Sequence, residues 1–235
     1  QTDYTYKNAT THLLGRGFLG FSERAVHDNN RQLLTTYKYR LPYPYLGRIN
    51  SEVVVDTAHA NASVSAVYNH WGDIDVAYPN AAVTLNDYVT VNYGRNNSTG
   101  VTEQVSAQVT ENSYHPTSGN LTTSIVSTGK SIDLSSYNQD GSFSSTNLNG
   151  LAGKVTTAFT YEDENTANWR LGFISSSTMT FERPFEALKT YTNTFEPFND
   201  NSFLVGSKTE FSGTDIWKTT GYQYYSDGNL QEETV

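Results

Sequence analysis

Gly15-Arg16-Gly17-Phe18-Leu19-Gly20-Phe21, just after Tyr4-Thr5-Tyr6, is the stretch on which the fold turns. Three glycines so close together suit a tight, close-packed backbone path, because glycine enters strained φ/ψ regions at little cost. Phe18, Leu19 and Phe21 supply apolar area to bury. Arg16 is the one group in the run with charge. It can bind a carboxylate or a row of carbonyls but cannot act as a base. The run therefore reads as a structural device.

The surrounding 235 residues agree. Aromatic residues make up 13%, with 17 Tyr against one Met, so burial relies on rings more than on aliphatic side chains. Tyr, Thr, Val and Phe fit a pleated surface, and Tyr buries its ring while its hydroxyl stays wet. Leu33, Thr35, Tyr37 and Tyr39 alternate at period two, as does Val155, Thr157, Phe159, Tyr161. Ser63 to Tyr68, Val83 to Leu85 and Tyr88 to Tyr93 do the same. Asx-rich turns such as His27-Asp28-Asn29-Asn30 separate these runs. Convincing helical periodicity is absent, and Leu14 and Leu188 offer the only hints of short helical turns.

The net charge of −9 argues against nucleic acid and against anionic lipid surfaces. Zero cysteines exclude disulfides, thiolate metal sites and thiol nucleophiles. No long apolar run predicts a membrane-spanning segment. No cofactor and no metal is expected.

Four segments resemble bacterial Rhs/YD-repeat proteins and the B component of insecticidal Tc toxins. They are Tyr4 to Phe21; Thr35 to Arg48 with its Leu41-Pro42-Tyr43-Pro44-Tyr45-Leu46-Gly47-Arg48; Tyr161 to Gly172 with Asn168-Trp169-Arg170-Leu171-Gly172; and Gly221 to Leu230. The last is similar to a YD repeat, with Tyr225 where Asp is usual and Gly228 in its glycine place. The resemblance implies a section of a large exported bacterial protein, secreted or at the cell surface, whose repeats wind into a β-sheet shell around an effector. Its partners would be the rest of its own parent polypeptide and toxin-complex components, with no membrane insertion by this segment. Gly15, Arg16, Gly17, Phe18, Leu19, Gly20, Phe21, Trp169 and Gly228 would be structural signature positions.

The expected fold is all-β and antiparallel, built of short strands. A Rhs/Tc-like segment at 1–55 and a Rhs-like segment at 151–235 flank a sandwich-like, Thr/Ser/Asn-rich insertion at 56–150. That insertion matches nothing in the resemblance, so a second function stays open: a carbohydrate-binding or adhesin module. Trp71 is its candidate stacking platform, with Asp73 and Asp75 beside it on one strand face. The same acid pair could serve an enzyme acting on polysaccharide. Trp169 and Trp217 read as core by default. Asn138, Asp140 and Ser142 could cradle Ca²⁺, as could Asp163 with Asn165 and Asp200 with Asn199 and Asn201, but each is also what a plain turn looks like. His12, His27, His59, His70 and His115 show no metal-ligand spacing. The leading expectation is a non-catalytic wall segment.

Overall fold

The computed structural model describes residues 1–12, 17–74, 82–96, 98–116, 118–135, 142–162, 172–199, 203–212 and 214–235. Its strands are β1 (Thr2–His12), β2 (Gly17–Asp28), β3 (Leu33–Arg40), β4 (Arg48–Asp56), β5 (Ala62–Ile74), β6 (Ala82–Arg95) and β7 (Thr102–Tyr114). They continue with β8 (Leu121–Ile132), β9 (Leu148–Tyr161), β10 (Ile174–Glu182), β11 (Lys189–Pro197), β12 (Val205–Glu210), β13 (Lys218–Tyr224) and β14 (Leu230–Thr234). All 14 belong to one sheet and stand in it in chain order. Such a meander follows when consecutive strands are joined by short turns, because sequential antiparallel neighbours then pair at the least loop-closure cost.

The all-β antiparallel class is the one the alternation predicts. Two details differ. The strands of region 56–150 are not a sandwich: β5 to β8 take consecutive places in the same sheet. Nor are they short, since β5 has 13 residues and β6 has 14. Tyr93-Gly94-Arg95-Asn96-Asn97 reads as a turn in sequence, yet β6 runs through its first three residues, pairing Gly94 with Glu103 and Arg95 with Thr102, and the turn begins at Asn96. Likewise β2 extends through His27 and Asp28, so the turn starts two residues later, at Asn29. Leu188 lies in the β10–β11 connection and not in a helix, while Leu14 falls outside the described residues.

The turns themselves are made by Asx chemistry. Asp28 Oδ1 accepts from the Asn30 and Arg31 amides at 3.0 and 3.1 Å. Asp56 caps the 3₁₀ turn Thr57–His59, accepting from Ala58 N at 2.9 Å and from the His59 ring at 2.7 Å. Asn96 Oδ1 accepts from Ser98 N at 2.9 Å. These carboxylates and amides satisfy turn N–H groups that the strand ladder leaves over.

The chain divides into two compact units. The first is Gln1–Glu111 with Val126–Ala152, and the second is Asn112–Ile125 with Gly153–Val235. In the first unit, cross-strand register places Tyr68, Val89 and Val109 in one row and Ala66, Val91 and Ala107 in the next. With Ile132 and Phe143 they form its core, against which Tyr93, Leu134 and Leu148 pack. Phe143 comes from the β8–β9 connection, which laps over this face of the sheet. A sheet face so apolar needs a cover, and here the cover is a loop.

In the second unit one face of β9 to β12 is aromatic. Phe181 meets Tyr191 at 5.8 Å and Tyr191 meets Phe211 at 5.3 Å, both edge-on. The opposite face is a field of hydroxyls. Thr160, Ser176, Thr194, Thr209 and Thr219 form one continuous row across five strands. Thr156, Thr180 and Thr190 form another. Hydroxyl pairs bridge Thr178–Thr192 at 3.1 Å and Thr209–Thr219 at 2.9 Å. Cross-strand Thr pairs of this kind add a few tenths of a kcal/mol, up to about 1 each.

Candidate functional site

The glycine run is described from Gly17 onward; Gly15 and Arg16 lie outside the described residues. Gly17 and Gly20 sit at φ +69° and +106°, yet an added Cβ at either would meet nothing within 4 Å. The glycines are needed for backbone conformation, not for the close packing the sequence suggests. Tyr6 lies 4.8 Å from Phe21 and Phe18 lies 5.3 Å from Phe21, ring to ring. Phe18 is nonetheless 60% exposed, Leu19 is half-buried, and Tyr6 is 52% exposed. The signature therefore presents an aromatic surface where burial was expected. Gly228 has φ +85° in the β13–β14 turn, where Asp227 Oδ1 accepts from Asn229 N at 3.0 Å. That bond, to the backbone first and then the Asn229 side chain, lowers the Asp227 pKa.

Trp71 is not an open platform. It is half-buried, its indole N–H donates to Ile49 O at 2.8 Å, and the Arg48 guanidinium lies 5.2 Å from its ring centroid. Its neighbour Asn69 donates to the same carbonyl at 3.0 Å, and that carbonyl lies on β4. Asp73 occupies β5 opposite Val83, with its side chain outside the described residues, as is the whole of Asp75. Trp169, Asn138, Asp140, Asp163, Asn165, Asp200 and Asn201 also lie outside them. Trp217 corrects the core reading: it is 62% exposed. With Ile216 it occupies the β12–β13 turn, while Phe185 and Leu188 lie on the β10–β11 turn. In a meander alternate turns fall at the same end of the sheet, so these four exposed apolar side chains share one end of the second unit.

One constellation escapes sequence reading. His70, Asp87 and Glu111 are cross-strand neighbours on β5, β6 and β7. His70 Nδ1 lies 2.7 Å from Asp87 Oδ2, and Asp87 is 5% exposed. Asp87 Oδ1 accepts from Phe143 N at 2.8 Å, and Glu111 Oε2 accepts from Ser145 N at 3.1 Å. Two carboxylates thus hold the covering loop to the sheet. Further along β7, opposite Tyr93, Gln104 acts as a false strand: its amide N–H donates to Ile132 O at 3.2 Å while its Oε1 accepts from Ile132 N at 2.7 Å. A bulge between His70 and Trp71 on one side, and Asp87 and Leu85 on the other, keeps the row in register. Beneath the loop, burial raises the pKa of Tyr68; burial and then the neighbouring Tyr68 raise that of Tyr93. The row supplies hydrogen bonds to backbone, which is anchoring chemistry.

The sheet also has two ends. β1 and β14 are the first and last strands in the order, so each has one edge with no strand against it among the described residues. β1 is 11 residues long, with Tyr4 58% exposed. All five residues of β14 are exposed. Unpaired N–H and C=O rows of this kind invite a further strand.

No family model and no curated protein matches the chain. Solved structures do. The crystal structure of TcdB2-TccC3 without its hypervariable C-terminal region is similar at a TM-score of 0.61 and 8% identity, over 99% of this chain and 18% of that one. TcdB2-TccC3-Cdc42 gives 0.57 at 9% identity, covering 89% of this chain and 15% of that one. TcdB2-TccC3 gives 0.51 at 9% identity, covering 96% and 16%. At such identity the likeness is one of fold, and it is the fold that the Tc-toxin resemblance in the sequence implies. The chain spans less than a fifth of the length of the solved proteins it matches.

Proposed function

We propose that this chain is a wall segment of a larger, exported Tc-toxin-like bacterial protein. It acts by pairing strands into a β-sheet shell that encloses an effector, and it carries out no catalysis of its own. The observation that supports this most is the meander itself. Among the described residues fourteen strands run in order, the first and last each with one edge unpaired, and a similar fold occupies a small part of much longer chains. A wall needs stiffness and a partner at each edge, not titrating groups. Buried Asp87 and half-buried Glu111 in the first unit are spent on backbone N–H groups, which suits that role. Its partners are then the rest of a longer polypeptide and the other toxin-complex components, outside the cell.

The test compares amide exchange at Thr2 to Lys7 in this chain alone and in the longer polypeptide encoded around it, with electron microscopy of the latter. A hollow particle with slow β1 exchange is expected. Equal exchange in the two, or a segment standing apart from any shell, refutes the reading.

A further inference from the structure

The free edge of β1 is complementary to itself. Asn29 N–H donates to Gln1 O at 3.1 Å, and from there β1 pairs with β2 residue for residue, Thr2 with Asp28 through Lys7 with Glu23. In an antiparallel ladder successive peptide groups point to opposite sides. Those of Asp3, Thr5 and Lys7 therefore turn toward β2, and those of Thr2, Tyr4 and Tyr6 turn away from it. Asn8, at φ +53°, leaves the extended conformation and ends this regular section. Among the described residues no strand lies against the outward groups, so the open donors and acceptors belong to even-numbered positions. Their side chains are open as well: Tyr4 is 58% exposed and Tyr6 is 52% exposed.

A second copy of the strand, antiparallel about a two-fold axis at Thr5, fits both that parity and the charges. It sets Tyr4 opposite Tyr6, twice over, as pairs that exchange backbone hydrogen bonds. It sets Asp3 opposite Lys7, again twice, at the alternate positions where facing side chains stand closer. Moving the axis to Tyr4 puts Lys7 against Gln1 and Asp3 against Thr5. Moving it to Tyr6 puts Lys7 against Thr5 and Asp3 against Ala9. The charges thus select one register. Asp3 accepts from the neutral amides of Gln1 and Asn29 at 3.2 and 2.7 Å, stands opposite His27, and makes no ion pair among the described residues. Lys7 lies 2.6 Å from Glu23, but its side chain is 65% exposed and its ammonium has donors to spare. Across the seam Glu23, Lys7 and the Asp3 of the second copy would alternate in sign. The β14 edge has no such match with itself, because Glu232 and Glu233 place an acid on each of its faces.

We propose that β1 is a homotypic docking edge: two copies of this chain join through Thr2 to Lys7, with Asp3 of each on Lys7 of the other. A two-fold contact uses the same patch on both copies, so assembly closes at a dimer. Lysine on a strand edge ordinarily guards against pairing. Here an acid on the same strand face matches it, and the guard admits a single register. The inference does not rest on the shell reading. Dilution reopens the edge, so β1 exchange in dilute solution tests that reading separately.

Sedimentation of the chain is followed up to about 1 mM, where even a weak edge contact is populated. A monomer–dimer equilibrium is expected. Amide exchange at Tyr4 and Tyr6 should slow as the concentration rises, while Asp3, Thr5 and Lys7, already bonded to β2, keep their rates. Asp3→Lys and Lys7→Asp should each weaken self-association by about tenfold or more, since each sets like charges opposite one another twice. Mixed in equal amounts, the two variants should pair with each other about as tightly as the parent pairs with itself. Added salt should weaken the parent dimer. A monomer at every concentration overturns the proposal. So does growth beyond the dimer, the sign of head-to-tail joining of β1 to β14. Protection that ignores the even–odd alternation, or charge variants that associate alone as tightly as when mixed, overturns it too.

Discussion

Asp87→Ala tests the account of the first unit most sharply. The carboxylate receives two hydrogen bonds, from His70 at 2.7 Å and from the Phe143 amide at 2.8 Å, at a site 5% exposed. A hydrogen bond to a charged group is worth about 1.5–3 kcal/mol net, and an abandoned buried N–H costs about 1–3 kcal/mol. Not all of these add, so the expected loss is about 3–4 kcal/mol. With a urea slope of about 1–3 kcal/mol per M, the midpoint should fall by roughly 1–4 M. Asp87→Asn should lose only about 1 kcal/mol, because the amide oxygen still accepts from Phe143 N and His70 can take the other tautomer. Phe143→Ala removes a ring that is 3% exposed and should cost about 3–5 kcal/mol. Both changes release the same loop, so the double variant should fall short of the sum by about 1 kcal/mol or more. Amide exchange at Phe143 reports this unit alone. An Asp87→Ala protein within about 1 kcal/mol of the parent, or strict additivity with Phe143→Ala, would refute the idea that the carboxylate fastens the loop.

Three further outcomes are expected. Phe185 is fully exposed at φ +66°, so Phe185→Gly should raise the stability of the isolated chain by about 1 kcal/mol in urea unfolding; a loss would show that the ring has a partner here. Gly206→Ala would place a Cβ 2.7 Å from Phe198 Cα and 2.8 Å from Pro197 O, and should destabilise the second unit by about 1–3 kcal/mol; thermal melting at the parent temperature would contradict the geometry. Asp28 and Asp56 have lowered pKa values, through the Arg31 amide and the His59 hydrogen bond respectively. Their folded values lie below the unfolded ones, so their contribution is complete above about pH 4 and is lost as the pH falls through the folded values. Urea midpoints should drop over that acid range, and by less in Asp28→Asn; a flat profile would count against it.

What the sequence discloses follows from how local each cause is. β3 is legible because Leu33, Thr35, Tyr37 and Tyr39 show the half-buried period within eight residues. The β13–β14 turn is legible because Asp227, Gly228 and Asn229 make it among themselves. The His70–Asp87–Glu111 row is not, since its members come together only through the register of three strands and a bulge. Trp71 misleads for the same reason: what covers it comes from Arg48 and Ile49, more than twenty residues earlier. Strand lengths are underestimated wherever a turn-prone residue such as Gly94 sits inside a ladder, because pairing to Glu103 outweighs its local preference.

The two faces of the second unit have a consequence for how its strands can go wrong. Sliding β10 by a single residue past β11 would turn Met179 and Phe181 into the water and bring Thr178 and Thr180 against Tyr191. Each one-residue misalignment is thus penalised on both sides at once. The threonine rows, for all their plainness, work as a vernier: they oppose every single-step slip, in which unlike side chains would meet, and so guard a long ladder against sticky intermediates of that kind.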